Sequence, residues 1–334
     1  MIRIFIFSLV LLATIQSTSH HVHAQISNLG GNDGLNITIT PRNPKPFDEV
    51  RAEATNYHIN INSAQITWIV DGQEITSGIG IKSLEGIKVG ENGNNTSITA
   101  IISAREGLYA EKTINIRPAD VDLVWYAESY TPPFYKGKAL LGSQSSVLFT
   151  AIPHLYGSSA AKIAPELLIY TWKVNGSIQG SLSGTNRQTF LLESNYNLRD
   201  KVVSVTVTNQ NKTIVAERSI TLSFVDPEII FYEDSPLLGL LTNKNLSGTS
   251  PATISDEITI TAIPYFFSVN NLRNSSLSHR WTMNGTIINA PDQPSLTFGV
   301  DGVLRGISEI GVHIKNTDRI LQSAQNKLRI QLNS

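Results

Sequence analysis

Cysteine is absent from all 334 residues. That removes disulfide staples, thiol nucleophiles, Cys-ligated zinc and a lipoprotein-type anchor on a cysteine. Charge is also scarce: 16% of residues are charged, against a usual quarter or so, and the formal net charge is −1. Lys and Arg do not cluster, so electrostatic capture of nucleic acid or of an anionic lipid surface is not expected. Long apolar runs are missing beyond Ile4 to Ile15, which is shorter than the ~20 residues of a membrane span. A 3.6-residue apolar period of helical length is missing too. The best candidate, Ala160 to Leu168, is interrupted by Pro165 and allows a turn or two.

That apolar run has the layout of an address. Arg3 precedes it, a polar stretch follows it, and Val22-His23-Ala24 offers a small-residue cleavage site before Gln25. Residues 1–24 therefore read as a signal peptide for export, with membrane contact only if this leader stays uncleaved. Residues 25–35, carrying Gly30-Gly31-Asn32-Asp33-Gly34, have turn composition and read as a flexible leader. An exported chain without disulfides must hold its domains together by core burial, which domains of roughly 100 residues achieve. The combination fits an exported bacterial envelope protein, whether extracellular, at the cell surface or periplasmic.

The positive signal is a stretch that occurs three times. Ile66-Thr67-Trp68-Ile69-Val70-Asp71-Gly72 returns as Tyr170-Thr171-Trp172-Lys173-Val174-Asn175-Gly176 and as His279-Arg280-Trp281-Thr282-Met283-Asn284-Gly285. Each is a strand with a central Trp running into an Asx-Gly pair suited to the positive φ angles of a tight hairpin. The copies stand about 100 residues apart, the size of one antiparallel sandwich. Period-two segments surround each copy in the same order. Leu35 to Thr40 opens the first set, Val121 to Tyr126 the second and Glu228 to Tyr232 the third. Ala151-Ile152-Pro153 matches Ala262-Ile263-Pro264, and Val205-Thr206-Val207-Thr208-Asn209 resembles Val312-His313-Ile314-Lys315-Asn316. Three domains are expected, at 36–118, 119–225 and 226–334. The links Arg117-Pro118-Ala119-Asp120 and Val225-Asp226-Pro227 are short and Pro-bearing, which predicts a semi-rigid rod.

The ordered strands, the Trp, the Asx-Gly turn and the late Val-x-Val-x-Asn strand resemble the immunoglobulin-like and PKD-like β-sandwich repeats of bacterial secreted and surface proteins. The resemblance spans residues 36–334. It implies an all-β chain of tandem sandwiches with Trp68, Trp172 and Trp281 in their structural cores. Two departures stand beside it: the paired cysteines of antibody-type domains are missing, and so is the Gly-Asp-Gly turn of typical PKD domains.

No catalytic constellation emerges. The chain after the leader holds His58, His154, His279 and His313, and two of these sit on predicted strands beside repeat residues. Gly180-Ser181-Leu182-Ser183-Gly184 places Leu where a nucleophile elbow needs Ser. A phosphate-binding glycine loop and HExxH are both absent. Asn32-Asp33, Glu91 to Asn95 and Asp301-Gly302 are the loops that could offer oxygens to a structural calcium, yet turn chemistry accounts for all three and no cofactor is expected.

Two segments are richer in apolar groups than a solvated loop requires. Tyr130, Phe134 and Tyr135 follow the first strand of the second domain, and Leu237, Leu238 and Leu240 follow the first strand of the third, at the same repeat position. Either each folds back over an open end of its own sandwich or packs on the neighbouring domain, or they form a partner-binding surface. The expected role is a noncatalytic structural, adhesive or envelope-assembly protein, with a protein or glycan at the cell envelope as partner. The alternative is a polysaccharide- or cell-wall-binding accessory module, and an enzyme with an unrecognised carboxylate pair comes third.

Overall fold

The computed structural model describes residues 34–193, 199–246, 252–254, 257–299 and 306–332. The expected signal peptide at 1–24 and most of the expected flexible leader at 25–35 lie outside these; of that leader, Gly34 is a turn and Leu35 already belongs to the first strand. Among the described residues the chain is all β, with six sheets and only single turns of 3-10 helix, at Arg105–Gly107, Pro165–Leu167 and Gly180–Leu182. The expected helical turn within 160–168 is the one at Pro165–Leu167, where Pro occupies the first helical position.

The sheets pack as facing pairs of immunoglobulin-like sandwich. In the first pair, Leu35–Thr40, Glu49–Asn56 and Ser83–Lys88 face Gln73–Ile79, Gln65–Val70, Thr96–Ser103 and Tyr109–Ile116. In the second, Thr189–Glu193, Ser146–His154 and Asp120–Ala127 face Ser177–Ile178, Ile169–Val174, Lys201–Thr208 and Val215–Leu222. In the third, Gly239–Asn245, Glu228–Ser235, Glu257–Tyr265 and Ser295–Gly299 face Ala252–Ile254, Ser323–Leu332, Gly306–Asn316, Leu277–Met283 and Thr286–Ile287. Neighbouring strands run antiparallel except Ala252–Ile254, which lies parallel to the end of Ser323–Leu332. Each pair encloses its own cluster of aliphatic and aromatic side chains.

One indole lies at the heart of each cluster. Trp68, Trp172 and Trp281 are buried, and each finds a backbone acceptor for its N–H, as a buried Trp requires. Nε1 donates to the carbonyl of Ile81 at 2.8 Å, of Arg187 at 2.8 Å and of Gln293 at 3.1 Å respectively. The Asx-Gly turns repeat as closely. Asp71, Asn175 and Asn284 have φ of 49°, 48° and 48°, and the glycines after them have 81°, 79° and 80°. Positive φ at both central residues is the geometry that matches strand twist in a two-residue hairpin. The Asx side chain does more than tolerate that geometry. Its Oδ1 accepts the backbone N–H of Ser97 at 2.7 Å, of Val202 at 2.8 Å and of Glu309 at 2.9 Å, clamping each hairpin to the next strand of its sheet.

Several strands have no counterpart in the sequence reading. Gln73–Ile79 is an edge strand, exposed along most of its length, so it carries no apolar alternation. The segment of Leu237, Leu238 and Leu240, expected as a loop after the first strand of the third domain, is instead the bend and returning arm of a hairpin: Glu228–Ser235 turns at Pro236 to Leu238 and pairs back with Gly239–Asn245.

Candidate functional site

The most built feature outside the three cores is the seam between the second and third sheet pairs. It begins with residues 128–145, which leave the end of the strand Asp120–Ala127 and do not return directly. Instead they lie on the outer face of the third pair's first sheet. Tyr130 N–H donates to the Phe267 carbonyl at 2.7 Å, and Phe266 N–H donates to the Tyr130 carbonyl at 2.8 Å. Phe134 then meets Tyr232 edge-on at 5.4 Å, and Tyr135 meets Tyr265 at 5.5 Å and Phe266 at 6.1 Å. Such edge-to-face pairs each contribute about 0.5–1.5 kcal/mol beyond their burial.

The strands beneath show why this cover is needed. Thr261, Ala262, Ile263, Pro264 and Tyr265 are buried in succession, where a sheet with one wet face would alternate. Tyr232, Ile263, Tyr265 and Phe266 form a separate apolar cluster on that outer face, with Tyr130, Phe134, Tyr135 and Leu240 packed against it. The Tyr232 and Tyr265 hydroxyls lie 3.0 Å apart. Burial, followed by that hydrogen bond, raises the Tyr265 phenol well above its ordinary value, and burial raises Tyr130, so both stay neutral.

A polar knot closes the other side of the seam. Gln322 is buried, and its Nε2 donates to the Ser143 carbonyl at 2.5 Å and to Ser268 Oγ at 2.8 Å. Its Oε1 accepts the Ser268 N–H at 2.8 Å and the Asn316 Nδ2 at 2.9 Å. Ser145 and Ser268 hydroxyls meet at 2.5 Å, and Leu321 N–H donates to Gln144 Oε1 at 2.9 Å. Val225, in the linker itself, donates its N–H to the Leu141 carbonyl at 2.9 Å. A Cβ at Gly142 would stand 2.7 Å from the Phe266 carbonyl oxygen, so the close backbone approach demands glycine.

The seam is open along one side as a cleft of about 840 Å³, lined by Glu128, Tyr130, Gln144, Asn270, Asn271 and Arg319 among others. Two charges of opposite sign, amide groups and one aromatic side chain are what a polyhydroxylated ligand would meet there.

The aromatic residues singled out in the sequence are therefore brought together, and Leu240 joins them at the edge of the same cluster. Leu237 and Leu238 do not: they sit at the hairpin tip, 94% and 77% exposed. Trp125 is half-buried on the core side of its strand, with Lys138 Nζ 3.3 Å from the ring centroid. Burial lowers the Lys138 pKa. Gln322 and the seam serines carried no signal in the sequence. The doubled apolar runs Ile229-Ile230-Phe231-Tyr232 and Ala262 to Phe267 did carry one, since a strand apolar on both faces needs cover on both.

Two His–Asp pairs join residues too far apart in the chain for the sequence to associate them. His154 Nε2 lies 3.0 Å from Asp122 Oδ2 on an outer sheet face. His279 Nδ1 lies 3.1 Å from Asp292 Oδ1, beside a cleft of about 450 Å³, while its Nε2 is buried without a hydrogen-bond partner. A base positioned by an acid but touching no hydroxyl lacks the nucleophile of a hydrolytic triad. Among the described residues no group of three or more His, Asp or Glu is placed to hold a metal ion, and no helix is long and apolar enough to cross a membrane. Asn32-Asp33 and Asp301-Gly302 fall outside the described residues. Glu91 to Asn95 forms a turn in which Asn94 N–H donates to the Glu91 carbonyl at 3.1 Å.

No protein-family model matches the sequence, and no curated protein gives a significant match. Solved structures do align. The three N-terminal domains of the bacteriophage RB49 highly immunogenic outer capsid protein align at 12% identity, covering 90% of this chain and 98% of that one, with TM-score 0.27. The central fibronectin-III array of RIM-binding protein aligns at 13% identity over 92% and 100%, with TM-score 0.30. The Bacteroides ovatus mixed-linkage glucan utilization locus protein SGBP-B, solved with a mixed-linkage heptasaccharide, aligns at 12% identity over 89% and 70%, with TM-score 0.20.

Proposed function

We propose that this chain is a noncatalytic exported protein, a stiff arm of three tandem sandwich domains at 36–118, 119–225 and 226–334. On this reading the leader at 1–24 sends it to the cell envelope or surface, where it acts as an adhesive or assembly component with a protein or glycan partner. The observation that carries the reading is the seam. Interfaces between domains of one chain are commonly modest and polar, leaving the domains free to move. Here an insertion of 128–145 covers a second apolar face, and a buried glutamine ties three segments together. A chain built for mechanical continuity gains from that investment; a loose string of binding modules does not.

Small-angle scattering of the purified protein tests it. The expected result is an elongated particle whose pair-distance distribution is fitted by one fixed orientation of residues 119–225 against 226–334. A broad ensemble of orientations for those two would overturn the proposal.

A second reading has its own support in the cleft at the seam. Glu128, Gln144, Asn270, Asn271 and Arg319 around Tyr130 form a polar, half-open groove suited to a polysaccharide. A glycan array decides it: binding that is lost on Arg319→Ala favours this accessory-module role, and an array without binding removes it.

A further inference from the structure

Among the described residues, two apolar surfaces that the repeat relates to the seam lack cover, and the seam shows how surfaces of these kinds fit together. The first is a sheet face on the second pair. Val124, Tyr126, Ile152 and Leu191 are 48%, 52%, 39% and 42% exposed. Register puts them on one side: Val124 opposes Thr150, Ile152 opposes Asp122, and Tyr126 and Leu191 both oppose Leu148. That is the side away from core residues Phe149 and Ala151.

The repeat identifies this face. Ala151-Ile152-Pro153 corresponds to Ala262-Ile263-Pro264, so Val124 opposite Thr150 corresponds to Tyr232 opposite Thr261. In the third pair the same face is the one that residues 128–145 cover. The segment at the equivalent position of the first pair, residues 41–48, is too short and polar to do the same for the second, and its Phe47 is exposed.

The second surface is the tip at Leu237 and Leu238. It belongs to the segment that follows the strand Glu228–Ser235, the repeat equivalent of the covering segment 128–145. It stands at the end of that strand opposite the linker to the second pair. A tip equivalent to the covering segment and a face equivalent to the covered one therefore both lack a partner among the described residues.

We propose that a second copy of this chain supplies it: the Leu237–Leu238 tip of one copy docks on the Val124, Tyr126, Ile152 and Leu191 face of another. The contact extends between copies the relation that already joins the second and third pairs within one. Because tip and face are different surfaces, the contact is heterologous and closes into a dimer only when made reciprocally. The inference is independent of the adhesive or glycan-binding role.

Analytical ultracentrifugation over concentrations up to roughly 100 µM, enough to populate a contact of micromolar Kd, tests it. The expected result is a mass that rises with concentration above that of one chain. Leu237→Ser with Leu238→Ser should hold the protein at one chain throughout, and so should Val124→Lys with Leu191→Lys. An equimolar mixture of the two variants should recover association, because one brings an intact face and the other an intact tip. A wild-type mass fixed at one chain overturns the proposal, as does a tip variant that associates like wild type. The tip residues are on an exposed turn, so that variant folds and decides the matter even if the face variant does not.

Discussion

Gln322 Nε2 donates to the backbone carbonyl of Ser143 at 2.5 Å, across a separation of 179 residues in the chain. The same carboxamide holds Ser268 and Asn316, so one side chain satisfies buried groups from three segments. Gln322→Leu would fill similar volume and leave those groups unpaired, at about 1–3 kcal/mol for each one that water cannot reach. The expected outcome is a lower unfolding midpoint in urea together with faster exchange of the Ser268 amide, whose acceptor is the Gln322 Oε1. Unchanged exchange at Ser268 would remove the knot from any account of how the seam holds.

Trp172 shows how far each core stands alone. Its ring stacks at 5.2 Å on Phe190 and donates to the Arg187 carbonyl, with every contact inside the second sheet pair. Truncation to Ala should cost about 3–5 kcal/mol. Trp172→Phe should cost less, chiefly the orphaned carbonyl and the lost ring area. Exchange measured peptide by peptide should report the damage within residues 119–225 and leave the amides around Trp68 at wild-type protection. Uniform loss across the chain would mean that one cooperative unit replaces the three proposed domains.

The Asx clamp separates two effects in one residue. Asn175 sits at φ 48° and accepts the Val202 N–H at 2.8 Å. Asn175→Gly keeps the backbone geometry and loses the hydrogen bond, so about 1 kcal/mol is expected. Asn175→Ala loses the bond and adds the left-handed cost of about 1–2 kcal/mol. Thermal denaturation should rank wild type above Gly and Gly above Ala; equal losses for both would leave the clamp without energetic weight.

These three sites also show what the sequence could and could not reveal. The Trp and Asx-Gly repeats are local, and a period-two pattern with one ring and one turn is readable in seven residues. The clamp is not, because Ser97, Val202 and Glu309 lie about 25 residues downstream on another strand. The edge strand Gln73–Ile79 escaped because a strand exposed on both faces has no apolar alternation to detect. For the seam, Tyr130, Phe134 and Tyr135 stand out as excess aromatic content, while their partners Tyr232, Tyr265 and Phe266 lie in or just past strands where only the doubled apolar run, not any single residue, marks a second buried face. A single Gln in a polar stretch has no pattern at all.

The last prediction concerns acid. His279 is buried, which lowers its pKa below the ordinary 6.5; the Asp292 carboxylate on Nδ1 raises it but does not offset that burial. The folded chain thus binds this proton less readily than the unfolded one. The stability contributed is complete above the ordinary histidine value and falls as pH drops below it. Burial raises the Asp292 carboxyl, but hydrogen bonds from the His279 backbone and ring outweigh that and hold it below its ordinary 3.8, so its contribution is lost in the same direction at still lower pH. Urea midpoints between pH 8 and pH 5, taken as an experimental range of about three units around the histidine value, should therefore decline toward acid. His279→Gln removes the titrating group and should flatten that decline while lowering the plateau, because the Asp292 side chain then loses the imidazole and keeps its bonds from the residue 279 backbone N–H and the Ser278 side chain. A slope identical in wild type and variant would assign the acid sensitivity to other groups.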